Sequence, residues 1–275
     1  MLMSDKSNEE KQVEFFKVFN PSEDLKLQTK IGQVGGLDTN MNGNLVVFHR
    51  GSRVWQFDSF MGNNFNKNKY KAIKENTLTL IDVKKSEEIF SWGANRFYMP
   101  HGLTIDFDNN IWVTDVALHQ VMKFNPRNLE EPELVLGVEF KPGNAENQFC
   151  KPTDVSVSET SGHVFISDGY CNHRVVEFDK SGHFLGVYED KKHPLQVVHS
   201  VALVEKLNLV CTVSRQDDSY GFTFYADESR FGQFKQRWNS LERDLEGVHD
   251  IALSPDGSAI YLGQLNGEID EFTYE

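Results

Sequence analysis

Three histidines of this 275-residue chain stand at the same place in a recurring segment. They open His101-Gly102-Leu103-Thr104-Ile105, His199-Ser200-Val201-Ala202-Leu203 and His249-Asp250-Ile251-Ala252-Leu253. Gly36-Leu37-Asp38 and Thr153-Asp154-Val155-Ser156-Val157 complete the set. Imidazole is the commonest side-chain metal ligand. Three of them converging on open space make a zinc site that keeps a free coordination position. No HExxH-type spacing accompanies them, so the metal reading depends on the repeat bringing the three together. A single histidine in such a place would more simply cap a strand and bond to backbone.

The elements that must position them are strands. Short runs such as Asn44-Leu45-Val46-Val47-Phe48, Asn110-Ile111-Trp112-Val113-Thr114 and His163-Val164-Phe165-Ile166-Ser167 are separated by turn clusters such as Met41-Asn42-Gly43-Asn44. Residues 53–57, 120–124, 174–178, 221–224 and 268–272 read as third strands, and 184–188 as a fourth. Aligned positions Gly35, His101, Thr153, His199 and His249 are 66, 52, 46 and 50 residues apart. Periods near 40–50 with four strands each are propeller blades. The fold class is therefore all-β, a β-propeller with five recognisable blades. The long first step predicts a loop insertion at 62–76. The first strand of each blade lines the central channel, which sets the three histidines round one axis.

A formal charge of −13 argues against nucleic acid and anionic membrane as partners. No apolar run is long enough to span a bilayer. Residues 1–20 read as a polar lead-in, and 21–275 as the propeller domain. The opening eleven residues lack the apolar stretch of a secretory signal peptide. Cys150, Cys171 and Cys211 allow one disulfide with a leftover thiol, or three thiols, and lack the CxxC spacing of a zinc cluster. Trp55, Trp92, Trp112 and Trp238 read as core between blades. The turn at 216–219 reads as solvated.

Several long motifs resemble the lyase domain of peptidylglycine α-amidating enzymes. They are Tyr98-Met99-Pro100-His101-Gly102-Leu103-Thr104-Ile105-Asp106, Trp112-Val113-Thr114-Asp115-Val116-Ala117-Leu118-His119-Gln120-Val121, Asn147-Gln148-Phe149-Cys150-Lys151-Pro152-Thr153-Asp154-Val155, Ser167-Asp168-Gly169-Tyr170-Cys171-Asn172 and Val47-Phe48-His49-Arg50-Gly51. The resemblance covers about 30–215 well and 247–275 more weakly. It implies a six-bladed propeller of NHL-type repeats that cleaves a peptidyl-α-hydroxyglycine to an amidated peptide and glyoxylate. It further implies zinc on His101, His199 and His249, and calcium on the carbonyls of Leu37 and Leu103 and the carboxylate of Asp250. Tyr170 falls at the family's catalytic tyrosine, and Arg50 and Arg215 at its active-site arginines. A Cys150–Cys171 disulfide, a secretory or extracellular location and a peptidylglycine monooxygenase partner are implied as well.

The competing readings are a catalytically impaired propeller used as a protein-interaction module and a calcium-holding propeller hydrolase. Three histidines at the strand starts favour the lyase. One departure bears on activity. His101 and His199 are two blade-steps apart, but His199 and His249 only one, where the family places its histidines on alternate blades. The polar stretch 235–246 reads as helical rather than as a further blade. The expectation is a shortened chain with an open or distorted ring, weak zinc affinity and low lyase activity.

Overall fold

The computed structural model describes residues 26–189, 195–215, 220–226, 234–238, 247–254, 256–265 and 269–273. The expected lead-in over 1–20 and the turn at 216–219 lie outside them. The described residues form five antiparallel meanders in which sequence neighbours pair. The first sheet is Val34–Thr39, Leu45–His49, Leu78–Asp82 and Glu87–Trp92. The second is Pro100–Ile105, Ile111–Asp115, Gln120–Phe124 and Leu134–Gly137. Asp154–Val157, Val164–Asp168, Arg174–Phe178 and Phe184–Tyr188 make the third. Val198–Val204, Leu209–Ser214, Tyr220–Tyr225 and Phe234–Trp238 make the fourth, and Val248–Leu253, Ala259–Gln264 and Ile269–Thr273 the fifth. These are propeller blades, and their first strands are the aligned segments read from the sequence. No helix among the described residues is long and apolar enough to cross a membrane.

The second, third and fourth sheets are each sandwiched between two others, so their middle strands bury both faces. Every residue of Ile111–Asp115 and of Val164–Asp168 is buried. Between the first and second sheets Val46, Phe48, Leu78 and Phe97 meet Leu103, Val113 and Phe124. Between the second and third, Trp112, Val121 and Phe149 meet Val155, Ile166 and Val176. Fully burying one such Phe, Leu or Val contributes about 1.5–3 kcal/mol.

Two expectations fail. Residues 53–57 are not the third strand of the first sheet; Leu78–Asp82 pairs with Leu45–His49 instead. The insertion thus lies before the third strand and includes 53–57, with a small hairpin of Phe60–Met61 and Asn64–Phe65. Trp55, Phe60, Phe65 and Tyr70 of the insertion pack in one cluster without a further ladder partner, while Phe57 stays exposed. Residues 234–238 are a strand paired with Tyr220–Tyr225, not part of a helix. The alternation Phe234-Lys235-Gln236-Arg237-Trp238 has the strand period of two, and the ladder supplies its hydrogen bonds.

One device recurs from blade to blade. The last side chain of the second strand accepts a hydrogen bond from the backbone N–H three residues before the aligned position. His49 Nδ1 takes the N–H of Gly32 at 3.4 Å, and Asp115 takes that of Tyr98 at 2.7 Å. Asp168 takes Cys150 N–H at 2.7 Å, and the Ser214 hydroxyl takes Gln196 N–H at 3.1 Å. This tie fixes how the chain enters each inner strand. Asp115 carries the most, also accepting from the N–H groups of Met99, Ala117 and Leu118. Burial pushes its carboxyl above the ordinary range, while these four N–H groups pull it down.

Asp115→Ala strands four buried N–H groups, each costing about 1–3 kcal/mol when left without a partner. After partial relaxation the expected loss is about 4 kcal/mol, read from urea midpoints at constant slope. Lys85→Ala, on the exposed rim, should change stability by less than about 0.5 kcal/mol. Equal effects of the two would refute the role given to Asp115.

Candidate active site at the axial histidines

The three histidine rings gather at one end of the axis. Their centroids are 4.8 Å apart for His101 and His199, 3.8 Å for His199 and His249, and 6.4 Å for His101 and His249. Each fixed ring leans on the next blade. His101 Nδ1 donates to the carbonyl of Thr153 at 2.8 Å, and His199 Nδ1 to that of His249 at 2.6 Å. Both acceptors are aligned positions, so the tie runs from one strand start to the next. It assigns the proton to Nδ1 and leaves the Nε2 lone pair facing the axis, the arrangement of a ligating histidine. Burial holds His101 and His199 well below the usual imidazole range, and puts His249 at about 4. All three are therefore neutral at pH 7, as metal ligation requires.

Both Nε2 atoms point at one phenol. Tyr170 Oη lies 3.1 Å from Nε2 of His101 and 3.3 Å from Nε2 of His199. Arg215 Nη1 donates to the same oxygen at 3.3 Å. Burial pushes the phenol above its usual range, against Arg215 and Arg50, which favour the anion. Arg50 is buried; its Nε donates to Pro100 O at 2.8 Å and its Nη1 to Gln33 Oε1 at 2.7 Å. Arg50 and Arg215 each directly follow a tying residue, His49 or Ser214, and Tyr170 comes two after Asp168. The same ties thus aim the arginines and the tyrosine. Gly169 lets the turn before Tyr170 press on the neighbouring blade; a Cβ there would stand 1.7 Å from Val198 O. The Cys150–Cys171 disulfide closes this turn onto the strand start at Thr153, and Cys211 takes no part in a disulfide.

On the other side of the histidines runs an axial cavity of about 510 Å³, lined by Leu37, Asp38, Leu103, Asp154 and Asp250. The Ser200 hydroxyl sits 2.6 Å from Asp154 Oδ2 and 2.7 Å from Asp250 Oδ1. One hydroxyl donates one proton, so two ionised carboxylates cannot both be satisfied by it. Burial pushes Asp154 up, and the Asp250 charge adds to this; burial also pushes up Asp250 and Asp38. The hard oxygens that line this wall suit a calcium-sized cation.

The structure therefore brings together Tyr170, Arg50, Arg215, His101, His199 and His249, and places Leu37, Leu103 and Asp250 on the cavity behind them. Among the described residues, no three His, Cys, Asp or Glu side chains already converge with ligand geometry. Two of the three imidazoles turn Nε2 to the shared Tyr170 hydroxyl, and the third lies against them. Sequence reasoning missed Trp55, which is no inter-blade core residue. Its ring centroid is 5.3 Å from that of Tyr170, and the Arg50 guanidinium lies 5.6 Å from it. It also missed Asp154 and Ser200, whose polar side chains occupy ordinary alternating positions of inner strands.

The NHL repeat family model matches residues 149–178. The chain is 46% identical over 194 residues to the peptidyl-glycine alpha-amidating monooxygenase of Mus musculus, covering 68% of this chain and 20% of that protein. It is 42% identical over 193 residues to the peptidyl-alpha-hydroxyglycine alpha-amidating lyase 2 of Drosophila melanogaster, covering 69% of this chain and 47% of that one. A probable lyase of the same kind in Caenorhabditis elegans is 41% identical over 214 residues, covering 76% and 58%. The chain thus spans from a fifth to under two thirds of the length of these relatives. Among solved structures, the virginiamycin B lyase of Staphylococcus aureus matches with a TM-score of 0.54 at 13% identity, covering 88% of this chain and 70% of that one. A nidogen–laminin complex matches with a TM-score of 0.60 at 10% identity, covering 87% and 75%. These two likenesses concern the fold alone.

Gly169→Ala should lower stability by at least about 3 kcal/mol, because backbone must move to admit the methyl. Gly43→Ala meets open space at φ +74°, and should lose only about 1 kcal/mol through backbone strain. Denaturant titration of both variants checks this; a Gly169→Ala loss no larger than that of Gly43→Ala contradicts the close approach.

Proposed function

We propose that this chain, which carries an NHL-type propeller domain of the peptidyl-alpha-hydroxyglycine alpha-amidating lyase kind, cleaves a peptidyl-α-hydroxyglycine into an amidated peptide and glyoxylate. The observation that carries the reading is the single phenol oxygen of Tyr170, within hydrogen-bond distance of His101, His199 and Arg215. Groups from the second and fourth sheets converge on one residue of the third that can move a proton.

The substrate hydroxyl gives its proton to Tyr170 Oη in its anionic form, which Arg215 and Arg50 favour against burial. The carbon–nitrogen bond then breaks as the C–O bond becomes the aldehyde of glyoxylate, and the departing nitrogen takes up a proton to complete the amide. Arg215 grips the substrate carboxylate, for which a guanidinium offers two parallel N–H donors. Arg50, held by Pro100 and Gln33, keeps a positive charge beside the phenol and favours its anion. His101, His199 and His249 would hold a zinc ion, whose charge acidifies a hydroxyl bound to it. The Leu37 and Leu103 carbonyls and Asp250 would hold calcium, joining inner strands of separate blades. The hydroxylated substrate calls for a peptidylglycine monooxygenase as the supplying partner. A secretory or extracellular location fits the Cys150–Cys171 bridge, which persists in oxidising compartments.

One observation favours a second reading, a catalytically impaired propeller that serves as an interaction module. His199 and His249 stand on neighbouring sheets and their rings touch, which crowds one side of a three-histidine site.

Glyoxylate release from a synthetic peptidyl-α-hydroxyglycine separates the two. The lyase reading expects turnover, a fall of at least about 100-fold in Tyr170→Phe, and a melting temperature within a few degrees of wild type. Turnover near the wild-type rate in Tyr170→Phe rules the tyrosine out as base. Metal analysis should find stoichiometric zinc in the wild type and little in His199→Ala. Wild-type protein that binds no zinc would sink the metal assignment.

A further inference from the structure

The insertion over residues 50–77 places an aromatic shelf beside Tyr170 that the proposed chemistry does not use. Trp55 and Phe60 meet at 4.9 Å between ring centroids with their planes tilted by 38°, and both are half-buried. Trp55 touches Tyr170 on one side. Phe60 is held from below by Phe65, at 5.5 Å and itself buried. The shelf is strapped to the third blade at the stapled turn. Lys151 Nζ lies 4.6 Å from the Phe60 ring centroid and donates to Asn63 Oδ1 at 3.3 Å. Along the same loop Val54 and Met61 are more than half exposed and Phe57 fully so. Three exposed apolar side chains thus fall within eight residues of this loop.

We propose that Trp55 and Phe60 form the wall against which the side chain just before the reactive hydroxyglycine packs, so that the site selects peptides with an aromatic or large apolar residue there. This rests on the lyase reading of Tyr170 and Arg215. With the hydroxyglycine at the Tyr170 hydroxyl, the preceding Cα is about 3.8 Å further along the peptide. Its side chain then falls within reach of a ring whose centroid is 5.3 Å from that of Tyr170. Arg50, Arg53 and Lys151 set positive charge against the rings of this cluster, while Asp58 of the same loop is taken up by Lys69 and Tyr70. A basic residue at that substrate position is therefore repelled. Aromatic pairing contributes beyond simple burial, enough for about tenfold discrimination.

The test uses three peptidyl-α-hydroxyglycines that differ only in the preceding residue: Phe, Ala or Lys. Wild type should follow the order Phe, Ala, Lys in kcat/KM, with Phe about tenfold over Ala. Trp55→Ala should bring the Phe-to-Ala ratio near one through KM, Trp55→Phe should keep most of it, and Phe60→Ala should lower it partway. A merely structural role for Trp55 would lower kcat for all three alike and leave the ratio standing, which overturns the proposal. The same three sequences ending in plain glycine, titrated by calorimetry, give a readout free of turnover. Phe-selective binding without turnover would leave the shelf standing and sink the lyase reading. Turnover without selectivity would do the reverse. Should Phe57→Ser with Met61→Ser abolish self-association while wild-type peptide selectivity is absent, the loop is a contact between copies of the chain and the proposal falls.

Discussion

The structure depends on one repeated constraint: a buried acceptor at the end of the second strand holds the backbone that leads into the first. A polar acceptor out of water is costly unless it is matched to a donor, so each such side chain pins its strand start in one place. His49, Asp115, Asp168 and Ser214 differ in chemistry but do the same work. The consequence for function follows from position alone. The strand starts carry the histidines, and the residues just beyond the acceptors carry Arg50, Tyr170 and Arg215. The ties thus set His101 and His199 on their strands and hold the turns that carry Arg50, Tyr170 and Arg215.

The histidines sit at a boundary of charge. On one side two guanidiniums lie near a phenol; on the other, Asp38, Asp154 and Asp250 line a cavity whose single cationic lining residue among those described is Lys206. Neutral imidazoles between these fields can offer lone pairs without adding to either repulsion. The carboxylates line the cavity and the guanidiniums lie by Tyr170, with the histidines shared between the two. That separation suits a site where an anion is to be received on one side and a cation held on the other.

Much of this was legible in the chain. The inner strands and the three histidines could be found because a repeat returns the same residue types at the same offset, and the pairing of sheet neighbours follows from short turns. The fourth-sheet strand at 234–238 was obscured by its charged residues, and its ladder to Tyr220–Tyr225 is a tertiary fact. Residues 53–57 show the opposite failure. Arg53-Val54-Trp55-Gln56-Phe57 alternates as a strand does, but alternation cannot tell a ladder from a loop whose Trp55 finds partners elsewhere and whose Phe57 is exposed. Trp55 meets Tyr170 from far along the chain, and no local pattern announces such a contact. Asp154 and Ser200 look like any polar residues of an alternating strand until Asp250 is brought opposite them.

The interruption of the first blade also bears on how the chain folds. Its two middle strands must find each other across residues 50–77, whereas the matching strands of the second and third blades are joined by turns of a few residues. The entropy of closing a loop falls before the contacts that reward it are made, and it grows with the length enclosed. The second and third blades can therefore form early and locally, while the first must wait. Trp55 and Phe60 travel within that loop, so the wall beside Tyr170 is the last part of the chamber to arrive, drawn over a floor that is already built.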